Sequence, residues 1–247
     1  MWLTPDWPAP AGVRAVCTTR AGGVSVAPYD SLNLGDHVDD TPVHVAANRA
    51  ILQESIGARP VFLSQVHGTQ VAALDANSPD GTVADACHTD QPGVACTVMV
   101  ADCLPVLFAS ARGHRVAAAH AGWRGLAGQG GVGILEATVK RLQATDIIAW
   151  LGPCIGPQAF EVGDEVRAAF TASDPLAGDC FKPLVPGKWL ADLAALARLR
   201  LNALGVSQIY GNDSSPSWCT VGNASRFFSY RRDRITGRFC ASVWRES

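Results

Sequence analysis

The sequence has no excess of positive charge and no apolar run long enough to span a bilayer. Its 20 lysines and arginines stand against 22 acidic residues, for a net charge of −2. The basic residues are scattered, apart from the cluster at 231–234. This charge distribution argues against nucleic acid and anionic membranes as partners. The first residues also lack the basic and apolar segments of a signal peptide, so we expect a cytoplasmic protein.

Charged residues are few as well, at 17%, whereas hydrophobic residues make up 48% of the 247 residues. This composition is typical of a globular chain with a large core and excludes a disordered one. Eight cysteines are present, but in a cytoplasmic chain of this size we expect reduced thiols and not a disulfide framework. The length allows a single domain or two equally well. We expect a monomer or a weak homo-oligomer.

Histidine is scarce, and its spacing is restrictive. The chain has six histidines and no His-x-His pair. Multicopper oxidation needs a cluster of copper ions, typically held by paired His-x-His motifs, so a conventional multicopper laccase is excluded. A single Cys/His site could still take copper adventitiously and give weak phenol oxidation.

Hydrophobic periodicity predicts an α/β architecture with mixed sheets. Thr41 and Pro42 begin a predicted helix that Gly57 ends. The nearly continuous apolar run 94–109 is typical of strands buried on both faces. Strand and helix alternate through the middle of the chain, while both ends look antiparallel. Further strands are predicted at 61–66, 71–74, 116–119, 147–151, 207–210 and 227–230, and further helices at 134–142, 165–171 and 191–204. The strand at 227–230 should carry Ser229 and Arg231 on one face.

Three residues at strand ends or turns predict a metal site. They are His67 before Gly68, Cys103 within Ala-Asp-Cys-Leu-Pro, and His120 before Ala-Gly-Trp-Arg-Gly. Imidazole and thiolate are ligands that zinc prefers, and three protein ligands leave one position open. Each residue taken alone could be a buried or turn residue, and the irregular spacing is not that of a zinc finger.

Other polar residues near these motifs are candidates for the reaction itself. Asp85 and Glu161 are candidates for proton transfer, whereas Asp102, next to Cys103, is better explained as a structural carboxylate. The glycine-rich run 122–133 with Arg124 could hold phosphate through backbone N–H groups and a guanidinium. It matches neither the dinucleotide-binding nor the P-loop spacing. Arg20 and Asn33 could line the same cleft or serve as turn residues.

The chain resembles the YfiH family, also called the laccase-domain or multicopper polyphenol oxidoreductase family, which includes FAMIN-like proteins. The resemblance extends over essentially the whole chain. It is carried by the segments 20–25, 31–34, 48–49, 65–68, 101–105, 120–125, 152–156, 219–220 and 228–232.

The resemblance implies a single catalytic domain over residues 1–247, folded as a four-layer α/β/β/α sandwich like the catalytic domain of cytotoxic necrotizing factor. It implies a zinc site of His67, Cys103 and His120. It also implies phosphorolysis of adenosine, inosine, guanosine or methylthioadenosine, with adenosine deamination as a second activity. Purine nucleosides and phosphate are then the partners. The resulting set of catalytic residues is Cys103, His120, Asp85 and Arg124, and the substrate-binding set is Arg20, Asn33, Gln65, Cys154, Ser229 and Arg231.

Two other classes of function remain open at this point. A cysteine hydrolase would use Cys103 as nucleophile and His120 as base, and bound metal would argue against it because it occupies the thiolate. A peptidoglycan-precursor editing factor would need a larger substrate. Deamination would need a carboxylate outside the His-x-Glu and Pro-Cys-x-x-Cys signature, which is absent.

Overall fold

The chain folds into two β-sheets stacked face to face, with helices on both outer surfaces. The computed structural model describes residues 2–246. Its strands are β1 (Val13–Cys17), β2 (Arg59–Phe62), β3 (Val71–Ala73), β4 (Ala86–Thr89), β5 (Val94–Val100), β6 (Leu104–Ser110), β7 (Val116–Ala121), β8 (Ile147–Leu151), β9 (Glu161–Gly163), β10 (Phe181–Val185), β11 (Lys188–Ala191), β12 (Gln208–Gly211) and β13 (Phe239–Arg245). Its helices are α1 (Pro42–Ile56), α2 (Trp123–Ala127), α3 (Ile134–Leu142), α4 (Asp164–Thr171), α5 (Leu193–Ala203) and α6 (Tyr230–Asp233).

Both large sheets are mixed. The first has the strand order β1-β13-β5-β2, and the second has β12-β8-β6-β7-β4-β3. The pairs β2/β5, β3/β4 and β8/β12 are parallel, and the other pairs of these two sheets are antiparallel. The first and last strands, β1 and β13, pair with each other and are antiparallel, as predicted for both ends of the chain. A small third sheet, β10-β11-β9, lies beside α4.

Side chains alternate between the two faces of the central strands, and the core is therefore divided into three apolar layers. On β6, Leu107 and Ala109 face the other sheet, whereas Val106 and Phe108 face α3 and α5. On the far side, Leu52 of α1 packs against the outer face of the four-stranded sheet. The layers therefore follow the order α/β/β/α, and the predicted four-layer mixed α/β fold is confirmed.

Most predicted elements are present, with shifted ends. Helix α1 begins at Pro42 and ends before Gly57, whose φ of 64° is the left-handed conformation that glycine tolerates. The run 94–109 forms two strands, β5 and β6, that are buried on both faces. The strand predicted at 61–66 is shorter, because β2 ends at Phe62 and only an isolated bridge at Ser64 continues it.

The predicted strand at 227–230 is wrong. Phe227 and Phe228 are fully buried, but their segment leads into the short helix α6. The Ser229 hydroxyl accepts a hydrogen bond from the backbone N–H of Arg232, and the Arg232 guanidinium donates to the Phe227 carbonyl. The apolar residues of this segment suggested a strand whose backbone pairs with a neighbouring strand. Its backbone groups instead bond to the Ser229 hydroxyl, which caps α6, and to the Arg232 side chain. Within residues 2–246, no helix combines the length and hydropathy needed to cross a bilayer.

Candidate metal centre and its cavity

Three chain segments bring the predicted metal ligands together at one end of the sheet stack. His67 lies on the turn between β2 and β3, and Cys103 lies on the turn between β5 and β6. His120 is the next-to-last residue of β7 and pairs with Pro105 of β6. Because β6 and β7 are antiparallel neighbours, the start of one lies beside the end of the other. The side chains of His67, Cys103 and His120 therefore meet although the residues are far apart in the sequence.

The three side chains are close enough to share one ion. Their ligand atoms all lie within 4.8 Å of one another, and Cys103 Sγ is 3.6 Å from His67 Nε2. The ring centroids of His67 and His120 are 4.7 Å apart. Tetrahedral zinc with bonds of about 2.0–2.3 Å separates its ligands by about 3.3–3.8 Å. The donor set and its spacing therefore fit a zinc-type ion after small side-chain movements.

Asp85 organises two of the three ligands. This fully buried carboxylate accepts hydrogen bonds from the backbone N–H groups of Val66 (3.2 Å), His67 (2.8 Å) and Gly68 (2.7 Å). It also accepts from His120 Nδ1 at 2.9 Å. These bonds hold His67 at a φ of 61°, which is uncommon for a residue with a side chain. With Nδ1–H donated to Asp85, Nε2 of His120 is the nitrogen left to bind a metal.

Two glycines let the β7–α2 segment approach these ligands. A Cβ at Gly122 would lie 2.6 Å from His67 Cδ2 and 3.1 Å from Cys103 Sγ. A Cβ at Gly125 would lie 2.7 Å from the Gly68 carbonyl oxygen. Later amides of the predicted phosphate loop, including those of Gln129, Val132 and Gly133, bond within the protein. Gly122 and Gly125 thus serve close packing, which the sequence does not distinguish from an anion cradle.

The ionisable groups of the site stabilise each other's charged forms. Burial alone would raise the pKa of the Cys103 thiol, but His120 and His67 outweigh it and lower that pKa to about 6. Burial alone would lower the pKa of His120, but Cys103 and Asp85 raise it to about 9. Hydrogen bonds from His120 and the turn amides outweigh the burial of Asp85 and lower its pKa. A thiolate beside an imidazolium is therefore the state of the metal-free site near neutral pH.

A cavity of about 360 Å³ opens from the three ligands. This volume lies in the range of small-molecule sites. Its wall combines apolar and aromatic side chains with cationic ones. The lining residues are His37, Gln65, His67, Met99, Val100, Ala101, Asp102, Cys103, His120, Trp123, Arg124, Ile155, Phe160, Leu193, Tyr230, Arg231 and Arg238.

Four predicted site residues besides the ligands lie at or behind this cavity. Arg124 is exposed and stacks on Trp123, with its guanidinium 4.5 Å from the ring centroid. Arg231 also lines the cavity, but its guanidinium donates to the carbonyls of Ala159 and Glu161. Gln65 is held by two hydrogen bonds to the backbone of Met99. Asp85 lies behind the ligands, hydrogen-bonded and fully buried, so it is not free for proton transfer with a substrate.

The other four predicted substrate-binding residues do not reach the cavity. Arg20 donates to the Asp30 carbonyl, the Asp30 carboxylate and the Ala224 carbonyl. Asn33 is fully buried among loop backbone groups, and Ser229 is the cap of α6. Cys154 is buried beside Asn212. Their positions correct the prediction, because all four support loops around the cavity and do not line it.

Two carboxylates considered for the reaction have structural partners. Asp102 accepts hydrogen bonds from the Thr220 hydroxyl and from the backbone N–H of Arg231, both at 2.6 Å. The structural role predicted for it fits this placement. Glu161 is exposed and pairs with Lys188 at 3.7 Å. Among the described residues, Asp102 is the one carboxylate in the cavity lining.

Sequence reasoning missed His37, Tyr230 and Arg238 of the lining. His37 lies on the loop after Asn33, where partial desolvation and the nearby charge of Arg238 lower its pKa. Tyr230 begins α6 and is 51% exposed. Tyr230 lies in the segment 228–232, which carries the family resemblance and could have indicated it. His37 and Arg238 lie in none of the segments that carry the resemblance.

Comparison with known proteins places the chain among close relatives. It matches the family model described as multi-copper polyphenol oxidoreductase laccase over residues 14–246. A Pseudomonas aeruginosa protein named purine nucleoside phosphorylase is 54% identical over 247 residues, which cover 98% of each chain. Purine nucleoside phosphorylase YfiH of Escherichia coli is 50% identical, again over 98% of each chain.

Solved structures show the same fold. A Neisseria meningitidis protein assigned to the family model DUF152 is 47% identical, with a TM-score of 0.94, covering 100% of this chain and 99% of that one. YlmD from Geobacillus stearothermophilus is 34% identical, with a TM-score of 0.89, covering 100% and 96%. The similarity therefore includes every layer of the sandwich and the segments that carry the three ligands.

Proposed function

The chain belongs to the multi-copper polyphenol oxidoreductase laccase family, as its motifs predict, and we propose that it is a zinc-dependent purine nucleoside phosphorylase. Its substrates would be adenosine, inosine, guanosine or methylthioadenosine together with phosphate. Its products would be the free base and a ribose 1-phosphate, or the methylthio derivative of that sugar. We propose that one catalytic domain in the cytoplasm performs the reaction.

The composition of the cavity is the observation that carries this proposal. An apolar and aromatic wall that includes Ile155, Phe160 and Tyr230 offers a surface for a purine ring. Arg124, Arg231 and Arg238 line the same cavity and supply positive charge for phosphate. A volume of about 360 Å³ suits a small polar molecule with an apolar face. A peptidoglycan precursor is larger than this space.

In phosphorolysis these residues would bind phosphate, orient it toward the sugar and stabilise the charge of the transition state. A phosphate oxygen forms a bond to the anomeric carbon as the bond from that carbon to the purine nitrogen breaks. The electron pair leaves with the base, which takes up the proton that hydrogen phosphate gives up over the reaction. The transition state resembles an oxocarbenium ion, so the phosphate must be held against a cationic sugar. Arginines at the cavity hold the phosphate, and the apolar wall excludes water that would compete with it.

His67, Cys103 and His120 would hold the metal, and Asp85 fixes the orientation of the two histidine-bearing segments. When bound, zinc supplies Lewis acidity toward an oxygen ligand. The residues 2–246 contain a single group of three or more side chains suited to one ion, which does not fit a multicopper cluster. Deamination is not part of the proposal, because the cavity carboxylate, Asp102, already accepts hydrogen bonds at both oxygens.

We expect purified protein to convert adenosine, inosine, guanosine and methylthioadenosine to free base only when phosphate is present. Phosphate is the nucleophile, so the sugar should be recovered as its 1-phosphate. Chromatography of products with and without phosphate measures this. Controls are protein depleted of metal with a chelator and the same sample reloaded with zinc. Base release that does not depend on phosphate, or no release at all, would contradict the proposal.

A second candidate function, a cysteine hydrolase, follows from the spatial arrangement of Cys103, His120 and Asp85. A thiol beside an imidazole whose other nitrogen donates to a buried carboxylate is the arrangement of a cysteine nucleophile. Bound metal would occupy the thiolate and suppress this reactivity. Hydrolytic activity that rises when metal is removed would favour the cysteine hydrolase, whereas activity that is lost favours the phosphorylase.

Metal-free protein is expected to be alkylated at Cys103 with a midpoint near pH 6. The thiolate is the reactive form, and the histidines lower the pKa of this thiol from 9.0 to about 6. Iodoacetamide labelling between pH 5 and 9, followed by peptide mass spectrometry, measures the profile. Cys180 is the internal control, because burial raises its pKa to about 11. A midpoint for Cys103 above pH 8 would refute the mutual stabilisation of thiolate and imidazolium.

A further inference from the structure

We propose that Arg238 binds the attacking phosphate, and that Asn33 and Gly35 position its side chain for this role. The inference rests on the proposed phosphorolysis and assigns one of its two substrates to a particular residue. It distinguishes Arg238 from the two other arginines of the cavity.

The three cavity arginines differ in their surroundings and in how many of their guanidinium donors already form hydrogen bonds within the protein. Arg231 donates to two backbone carbonyls, which keep it on the chain around Ala159 and Glu161. Arg124 stacks on Trp123 and is exposed to solvent, so water competes with an anion for its guanidinium. Arg238 donates only through Nη1, to the carbonyls of Thr236 and Gly237. Within the described residues its Nε and Nη2 groups have no hydrogen-bond partner.

The backbone of Arg238 is held by a side chain from a distant loop. Its backbone N–H donates to Asn33 Oδ1 at 2.8 Å. The Asn33 amide in turn donates to Asp40 Oδ2 at 2.9 Å and to the Gly35 carbonyl at 3.1 Å. A buried polar network therefore fixes both the backbone of Arg238 and the loop that packs on it. Fixing a cation before binding reduces the entropy lost when an anion is bound.

Gly35 provides the space through which the Arg238 stem reaches the cavity. A Cβ at position 35 would lie 2.8 Å from Arg238 Cγ and 3.2 Å from Arg238 Cβ. The backbone of Gly35 is not in the left-handed region, so alanine would fit its conformation. The absence of a side chain at 35 is thus explained by the path of the arginine and not by the turn.

The ligand chemistry that these observations favour is a tetrahedral oxyanion. A half-buried guanidinium with two adjacent free donors, Nε and Nη2, matches two oxygens of phosphate in the bidentate geometry that arginine prefers. Arg238 and the Cys103–His120 site line the same cavity, so an anion held by Arg238 stays within the space where the nucleoside binds. We commit to orthophosphate as this anion.

Replacing Arg238 by methionine is expected to raise the KM for phosphate about 30-fold, as loss of charge-assisted hydrogen bonds does. The KM for inosine should change less than about 3-fold, because the apolar wall is unchanged. Gly35→Ala keeps the guanidinium but displaces its stem, so it should raise the phosphate KM in the same direction, by about 5-fold. Initial rates over a phosphate series, with metal content and melting temperature of each variant, measure these effects.

The controls separate this inference from the proposed function. Arg112→Met, on an exposed loop outside the cavity, should leave both KM values unchanged. If wild-type turnover does not depend on phosphate, the proposed function fails before Arg238 is tested. If turnover depends on phosphate but Arg238→Met and Gly35→Ala keep the wild-type KM, the inference is overturned, and a shift in Arg124→Met would assign phosphate to Arg124. If inosine 5′-monophosphate binds more tightly than inosine and loses that advantage in Arg238→Met, the residue binds a phosphomonoester and the orthophosphate assignment is wrong.

Discussion

Replacement of Cys103 by alanine is expected to remove the bound metal and to lower kcat/KM for purine nucleosides by about 10³-fold or more. Metal ions contribute several kcal/mol of charge stabilisation in such reactions, and about 1.4 kcal/mol corresponds to each tenfold in rate. Cys103 supplies the thiolate of the trio, and its Sγ lies 3.6 Å from His67 Nε2. Without it, two imidazoles remain, which is a weaker set for zinc.

Elemental analysis and steady-state kinetics on the same preparations test this expectation. Cys180→Ala is the matched control, because Cys180 is a half-buried cysteine outside the cavity lining. It should keep the wild-type metal content and kcat/KM. If the Cys103→Ala protein retains stoichiometric metal, Cys103 is not a ligand. If it loses activity while metal remains bound, a role for the thiol as nucleophile would be favoured instead.

The three residues of the candidate metal centre could be predicted from sequence because each has a local signal. His67 precedes a glycine at a turn, Cys103 lies between two buried strands, and His120 lies at the end of another strand, one residue before Ala121. Strand ends of one sheet stack converge in space, so residues with metal-binding side chains at such ends are expected to meet. The apolar run 94–109 also predicted strands covered on both faces in a layered α/β structure, whereas the number of layers was predicted only by the family resemblance.

The remaining parts of the site depend on contacts that no local pattern encodes. Arg20 and Asn33 lie in motifs as marked as those of the ligands, yet their polar groups are used within loops. Arg238 has no motif of its own, and its place at the cavity depends on Asn33, 205 residues away along the chain. The failed strand at 227–230 has a similar cause, because the Arg232 guanidinium binds carbonyls that a sheet partner would otherwise bind.

Asp85→Asn is expected to lower the free energy of unfolding by about 3 kcal/mol, because a buried charged network loses its acceptor. It should also weaken metal binding by about 100-fold, as loss of the carboxylate behind a metal-bound histidine does. The carboxylate accepts four hydrogen bonds, from three turn amides and from His120 Nδ1. An asparagine side chain offers one acceptor oxygen, and its NH₂ group would face N–H donors.

Asp192→Asn is the matched control for the same chemical change. Asp192 caps α5 by accepting from the Ala195 N–H and also accepts from the Ser214 hydroxyl. Asparagine is an equally good N-cap, so this variant should lose less than about 1 kcal/mol. Urea unfolding and metal titration with a competing chelator measure the two effects. Equal stability losses in both variants would contradict the special role of Asp85.

The pH dependence of unfolding gives an independent check on Asp85 in metal-free protein. The pKa of this carboxyl is lowered in the folded state from its ordinary 3.8. Its contribution to stability is therefore complete above pH 3.8 and is lost as the pH falls through the lower folded-state value. The stability difference between wild type and Asp85→Asn should accordingly be greatest between pH 5 and about 6, where Asp85 is ionised and His120 is protonated. It should shrink in acid, and it should also shrink as the pH rises from 6.5 toward the folded-state pKa of His120 of about 9, because Asp85 is one cause of that raised pKa. A difference that grows as the pH falls below 4 would mean that the carboxylate is not stabilised by the amides and the imidazolium around it.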